Sequence, residues 1–286
     1  MSRIEQALEK AAKLRDVNLE RTGRPDDNPE SRTPSPEAPP HAFIPTQRPL
    51  EITNPTLVAA TNPQSPMAEE YRKLKEMIIK LTRADQVRNT LMITSAMSGE
   101  GKTTTAINLA ISLAQEYDHT VLLIDADLRR PSVEKYLGLG PRPGLAECLL
   151  DGAAVPDLLI KTGIGKLVVL PSGRATPNPG ELFSSSKMRD LIKEMKHRYA
   201  DRYIIIDTPP VLPFAETRTL STIVDEVILV VKSGLSTVEN IKDAMEAMRG
   251  ASMLGLVYNN APPDSLGSSY SHYHYGYGYG YGYGTG

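Results

Sequence analysis

The chain has 286 residues with 34 Asp and Glu against 32 Lys and Arg, a formal net charge of −2 and a hydrophobic fraction of 40%. That balance gives no electrostatic case for nucleic acid, and the apolar content suits one α/β core with unstructured flanks. With no apolar run of about 18 residues and no apolar amino-terminal core, neither a membrane span nor a secretory leader is expected, which places the protein in the cytoplasm. Cys148 is the one cysteine, so an intramolecular disulfide and a zinc cluster are excluded; within Leu145-Ala146-Glu147-Cys148-Leu149-Leu150 it reads as a small buried hydrophobe.

Residues 1–18 predict a short amphipathic helix, with Ile4, Ala7, Leu8, Ala11 and Ala12 at helical spacing. Residues 19–64 are crowded with Pro, Asp, Glu, Ser and Thr and read as a linker that buries too little apolar surface to repay its chain entropy. The folded domain is expected over 65–262. It begins with Ser65-Pro66, a good helix start, followed by Met67, Tyr71, Leu74, Ile78 and Leu81 as the apolar face and Glu69, Arg72 and Lys75 on the polar side.

The strand-like run Leu91-Met92-Ile93 leads into Ala96-Met97-Ser98-Gly99-Glu100-Gly101-Lys102-Thr103, and a helical pattern follows from Thr104 to Tyr117. This is a P-loop. Gly99 and Gly101 allow backbone angles barred to other residues, so the amides of Ser98 through Thr104 can turn onto phosphate oxygens at a helix N-terminus. Lys102 is placed to reach the β- and γ-phosphates, and the Thr103 hydroxyl to hold Mg²⁺. Two further apolar runs, Thr120–Ile124 and Arg202–Ile206, end in Asp125-Ala126-Asp127 and in Asp207. Both read as buried parallel strands whose carboxylates sit at the C-terminal tips, the edge at which open α/β sheets bind ligands. Runs at 167–170, 227–231 and 253–258, with amphipathic helices over 186–199 and 236–249, complete a mostly parallel sheet with helices on both faces. Beyond Pro263 the chain is mostly Gly, Ser, Tyr and His with no aliphatic residue after Leu266, a composition expected to form a flexible coil over 263–286.

The P-loop, Leu-Ile-Asp125-Ala-Asp127-Leu-Arg129-Arg130-Pro131 and Ile-Ile-Ile-Asp207-Thr-Pro-Pro resemble the Walker A, Walker A′ and Walker B motifs of bacterial tyrosine kinases, the autokinases of exopolysaccharide and capsule assembly. The tail resembles their tyrosine cluster, with Tyr270, Tyr273, Tyr275, Tyr277, Tyr279, Tyr281 and Tyr283 as phosphoacceptors. The resemblance covers roughly residues 55 to 286 and implies a P-loop fold of the MinD/ParA-like branch, ATP and Mg²⁺ as cofactors, and phosphoryl transfer to tyrosine. It further implies Mg²⁺ held by Thr103, Asp127 and Asp207, and Asp125 either as proton acceptor for the incoming phenol or as a water-mediated Mg²⁺ ligand. Lys102, Asp125 and Asp127 are thus the expected catalytic residues, and Asn259 a contact for the adenine base. Glu69, Arg72 and Lys75 match the Glu-x-x-Arg-x-x-Arg motif of ring assembly, with Lys in the last place, where the bidentate fork of Arg is lost.

The resemblance also implies a transmembrane chain-length-determinant protein, of the Wzz-like type, as activator, recruitment by it to the inner face of the cytoplasmic membrane, and a cognate tyrosine phosphatase. A homo-oligomeric ring is expected while the tail is unphosphorylated. Two other functions stay open on the residues alone. One is a partitioning or division-site ATPase switch, although the extra lysine that such proteins carry near the loop start is Met97 here. The other is a non-catalytic nucleotide-binding scaffold, against which Lys102, Thr103, Asp125, Asp127 and Asp207 all stand.

Overall fold

The computed structural model describes residues 50–82, 88–116, 119–198 and 202–262. Their elements are α1 (Val58–Thr61), α2 (Pro66–Thr82), β1 (Thr90–Ser95), α3 (Lys102–Ala114), β2 (Thr120–Asp125), α4 (Val133–Tyr136), α5 (Leu145–Asp151), α6 (Val155–Leu158), β3 (Ile160–Lys161) and β4 (Leu167–Leu170). There follow α7 (Pro179–Ser184), α8 (Ser186–Arg198), β5 (Arg202–Asp207), α9 (Ala215–Ser221), β6 (Glu226–Lys232), α10 (Val238–Ala247) and β7 (Met253–Asn259). The expected amino-terminal helix, the linker as far as residue 49 and the tyrosine-rich tail lie outside the described residues.

The strands form one sheet in the order β3-β4-β2-β5-β1-β6-β7. Every pairing is parallel except the two-residue β3 against β4, too short to leave a pattern in the sequence. Continuous apolar strands need cover on both faces, and they have it. Leu91, Ile93, Val121, Leu123 and Ile205 pack with Ile107, Ile111 and Ile78 of α3 and α2, whereas Met92, Leu122, Ile124, Ile204 and Ile206 pack with Leu145, Phe183, Met188 and Leu220 of α5, α7, α8 and α9. Because the strands run parallel, the P-loop, the tips of β2 and β5 and the end of β7 all come to one sheet edge, and Asp125 is the register partner of Asp207.

Two expectations are corrected. The end of the expected linker belongs to the folded domain: Leu57, Val58 and Ala59 are buried, and burying one leucine of this kind contributes roughly 1.5–3 kcal/mol. Asn108, inside α3, holds the segment by accepting from Ala59 N at 2.9 Å and donating to the Thr56 carbonyl at 2.9 Å. The start of α2 is as expected, with Ser65 Oγ accepting from Ala68 N at 3.1 Å, but its buried side differs. Met67 and Leu81 are exposed, while Ala68, Lys75, Ile78, Ile79 and Thr82 are buried. Glu116 accounts for Lys75, whose ammonium it draws inward.

Candidate functional site

The turn after β1 needs backbone angles that only glycine adopts freely. Gly99 has φ 87° and Gly101 φ 92°, so the chain reverses tightly and enters α3 at Lys102. A side chain at Gly101 would meet Asn259 Nδ2 at 2.2 Å and, at this positive φ, would be strained besides. Ser98 and Gly99 are exposed at the loop tip, and Thr104 is half-buried on the first turn of α3.

Lys102 Nζ lies 3.0 Å from Asp127 Oδ2 and 4.0 Å from Asp207 Oδ1. Thr103 Oγ1 donates to Asp207 Oδ2 at 2.7 Å and accepts from Ser132 Oγ at 3.3 Å. One ammonium, the Thr103 and Ser132 hydroxyls and the carboxylates of Asp127 and Asp207 therefore come together. Burial alone lowers the Lys102 ammonium, but Asp207, Asp127 and Asp125 together outweigh it and hold the group above the usual lysine range. Burial pushes Asp207 up to about 6, against the opposing pull of Lys102 and the Thr103 hydrogen bond. Asp207 Oδ1 is buried with no hydrogen-bond partner among the described residues. An open carboxylate oxygen beside the Thr103 hydroxyl is a donor set that suits Mg²⁺, a hard cation that takes few protein ligands and fills its shell with phosphate oxygens and water.

Asp125 is engaged by the loop that follows it. Its Oδ1 accepts from Asp127 N, and its Oδ2 from Ser132 N and Val133 N, each at 3.0 Å. The carboxylate is fully buried and organises the 126–133 loop from within. Burial, then the charges of Asp207 and Glu134, raise it well above the carboxylate range. Asp127 Oδ1 accepts from Arg130 N at 3.0 Å, leaving Oδ2 for Lys102.

The other residues singled out by sequence have the following places. The Glu100 side chain is fully buried and bonded internally, so it does not face the phosphate cradle. Asn259, expected at the adenine base, donates through Nδ2 to the Glu100 carbonyl at 2.8 Å. Arg129 pairs with Glu216 and lies over the Phe214 ring at 4.8 Å, whereas the Arg130 side chain is exposed. In α2, Glu69 and Arg72 form an exposed i,i+3 pair, and Arg72 also donates to the Pro63 carbonyl at 2.7 Å. Lys75 is only 8% exposed and pairs with Glu116 and, at 3.1 Å, with Glu76. Sequence reasoning missed Ser132 and Ser236: both are single loop serines with no spacing rule, and only the fold brings them to the P-loop.

Residues 88–252 match the AAA-domain family. The chain is similar to the tyrosine-protein kinase YwqD of Bacillus subtilis, 38% identical over 219 residues that cover 76% of this chain and 90% of YwqD. Among solved structures it resembles the kinase domain of the Escherichia coli tyrosine kinase Etk, with a TM-score of 0.66 and 30% identity over 72% of this chain and 82% of that domain. The septum site-determining protein MinD of Pyrococcus horikoshii, solved with Mg-ADP, aligns more loosely, with a TM-score of 0.50 and 27% identity over 59% of this chain and 68% of MinD.

Proposed function

The chain belongs to the family of bacterial tyrosine-protein kinases, and from that premise we propose that it transfers the γ-phosphoryl group of ATP to tyrosines of its own carboxy-terminal segment, in the service of exopolysaccharide or capsule assembly. The observation that carries this reading is the Lys102 ammonium, 3.0 Å from Asp127, directly after a loop turned by two positive-φ glycines, a backbone shape suited to binding phosphate through its amides. MinD, with bound Mg-ADP, supports nucleotide as the ligand of such a loop.

Thr103 and Asp207 would hold Mg²⁺, which when bound would neutralise charge on the β- and γ-phosphate oxygens. Lys102 stabilises the charge that develops on the transferred group, and the loop amides fix its direction. A phenol of pKa about 10 keeps its proton at neutral pH and gives it up during attack. Asp127 Oδ2, exchanged from Lys102 to the incoming hydroxyl, takes that proton, and Asp125 positions the loop that carries Asp127. Tyr270, Tyr273, Tyr275, Tyr277, Tyr279, Tyr281 and Tyr283 are the acceptors; the 24 residues after Pro262 span at most about 80 Å, enough to enter a neighbouring subunit's site. Glu69 and Arg72, exposed and ordered on α2, provide subunit contacts of the unphosphorylated ring. No helix among the described residues is long and apolar enough to cross a membrane, and a membrane chain-length protein as activator and a phosphatase as antagonist complete the proposal.

The test is phosphotyrosine mapping by mass spectrometry after incubation with Mg²⁺ and ATP, on the intact chain and on Lys102→Met. Phosphate on the tail of the first and none on the second is expected. Phosphate release without phosphotyrosine would favour an ATPase switch, and undiminished phosphotyrosine in Lys102→Met would remove Lys102 from the mechanism.

A further inference from the structure

A carboxylate in the middle of a phosphate-binding loop opposes the ligand unless its charge is turned away and occupied. Glu100 is such a residue, fully buried while Met97, Ser98 and Gly99 beside it are exposed. Its Oε2 accepts from Met97 N at 2.7 Å, which staples the loop across three residues. Its Oε1 accepts from Ser236 Oγ at 2.6 Å and from Lys232 N at 3.3 Å, which ties the loop to the turn between β6 and α10. The Glu100 carbonyl accepts from Asn259 at the end of β7, and the Asn259 carbonyl accepts from Ser233 N at 2.9 Å. The ends of β1, β6 and β7 thus meet through one side chain and its own backbone.

We infer that Glu100 is a positioning residue that sets the P-loop in its nucleotide-binding shape and couples it to the 232–236 turn, so that the two segments order and loosen together. The inference rests on the nucleotide-binding part of the proposed function and on nothing in the transfer step. A single carboxylate serves all of these donors because it only accepts, whereas an apolar replacement leaves the Met97 amide, the Lys232 amide and the Ser236 hydroxyl without it. Glutamine retains most of the arrangement: its oxygen meets the Met97 amide, and its NH₂ faces the Ser236 hydroxyl, which rotates to accept.

The experiment is titration of a fluorescent ADP analogue with Mg²⁺ into the full-length chain and into Glu100→Ala, Glu100→Gln, Ser236→Ala and the double alanine variant. Amide hydrogen exchange is read over 96–101 and 232–237. Loss of charge-assisted hydrogen bonds to the loop predicts about tenfold weaker binding for Glu100→Ala. Rescue to within about threefold is expected for Glu100→Gln, whose retained bonds are neutral ones. Ser236→Ala loses a single bond and should weaken binding about threefold, with the double variant no weaker than Glu100→Ala because the two act through one link. Exchange should rise in both segments of Glu100→Ala, including the 232–237 amides remote in sequence. Unchanged nucleotide affinity in Glu100→Ala, multiplicative effects of the two substitutions, or faster exchange confined to 96–101 would each overturn the coupling. Ser236→Ala removes one hydroxyl from a surface turn and keeps the test usable if Glu100→Ala folds poorly. A protein that binds Mg-ADP in this pattern yet never acquires phosphotyrosine would refute the kinase reading and leave this one standing.

Discussion

Asp125→Asn separates two roles for the first carboxylate of the Asp-Ala-Asp motif. In the folded chain three backbone amides point at the Asp125 oxygens, from Asp127, Ser132 and Val133. An asparagine that keeps its oxygen toward Ser132 and Val133 must present its NH₂ to the Asp127 amide. One hydrogen bond is then lost outright, at roughly 1–3 kcal/mol, and two fall from charge-assisted to neutral, at about 1 kcal/mol each. Removing a buried charge that faces Asp207 and Glu134 returns part of this, so a net destabilisation of about 2 kcal/mol is expected. For a domain of this size that lowers the melting temperature by about 4–8 °C. Loosening of the 126–133 loop also displaces Asp127, so Mg-ADP affinity should fall about tenfold, as for any loss of about 1.4 kcal/mol. Differential scanning calorimetry and nucleotide titration read the two quantities on one preparation. A variant with unchanged melting temperature and unchanged affinity, but no tyrosine transfer, would refute the positioning role and make Asp125 the proton acceptor.

The Asp207 carboxyl, raised to about 6 by burial, has a signed pH consequence. A carboxyl raised on folding contributes stability that is full below its unfolded pKa and is lost as pH rises through the folded one. The nucleotide-free protein should therefore lose stability between about pH 4 and 6 relative to Asp207→Asn, while Mg-ADP affinity of the wild type rises over the same interval as the carboxylate becomes available. Denaturant midpoints and titrations at half-unit pH steps check both, and parallel profiles for the two proteins would remove Asp207 as the cause. Lys75→Met should cost about 1 kcal/mol of stability by breaking the internal pair with partly exposed Glu116 and should leave assembly intact. Glu69→Ala with Arg72→Ala should do the reverse, near-neutral for stability and weakening for the ring, as sedimentation velocity and melting curves will show. Phosphorylated tails carry about −1.5 to −2 charges per tyrosine, so the assembly should shrink on phosphorylation and after truncation at Pro262; equal sedimentation of all forms would deny the tail an assembly role.

The phosphate site was legible because each of its parts has a local rule. Gly99 and Gly101 are required by the turn, Lys102 and Thr103 follow in fixed spacing, and Asp125 and Asp207 cap apolar runs that can only be buried strands. Parallel pairing then places them in register without further information. What the sequence did not disclose are destinations of side chains chosen by the fold. Lys75 reads as a solvated cation at polar helical spacing, yet Glu116, 41 residues away, turns it inward, because nothing in periodicity anticipates a partner at the end of the next helix. Leu57 reads as one apolar residue in a linker, yet Asn108 inside α3 fixes the backbone on either side and carries it into the core. Glu100 is the sharpest case. Within a motif that binds anions, the sequence rule concerns the Glu100 amide and is silent on the side chain. The three-dimensional accounting assigns this carboxylate to the protein, since a negative charge beside a polyphosphate is tolerated only where backbone amides and a hydroxyl already claim its oxygens. The same accounting gives Asp125 an architectural load, since its oxygens accept from the Asp127, Ser132 and Val133 amides. A carboxylate whose oxygens hold three amides has fewer lone pairs free than the neighbouring Asp127, whose Oδ2 faces the Lys102 ammonium at 3.0 Å.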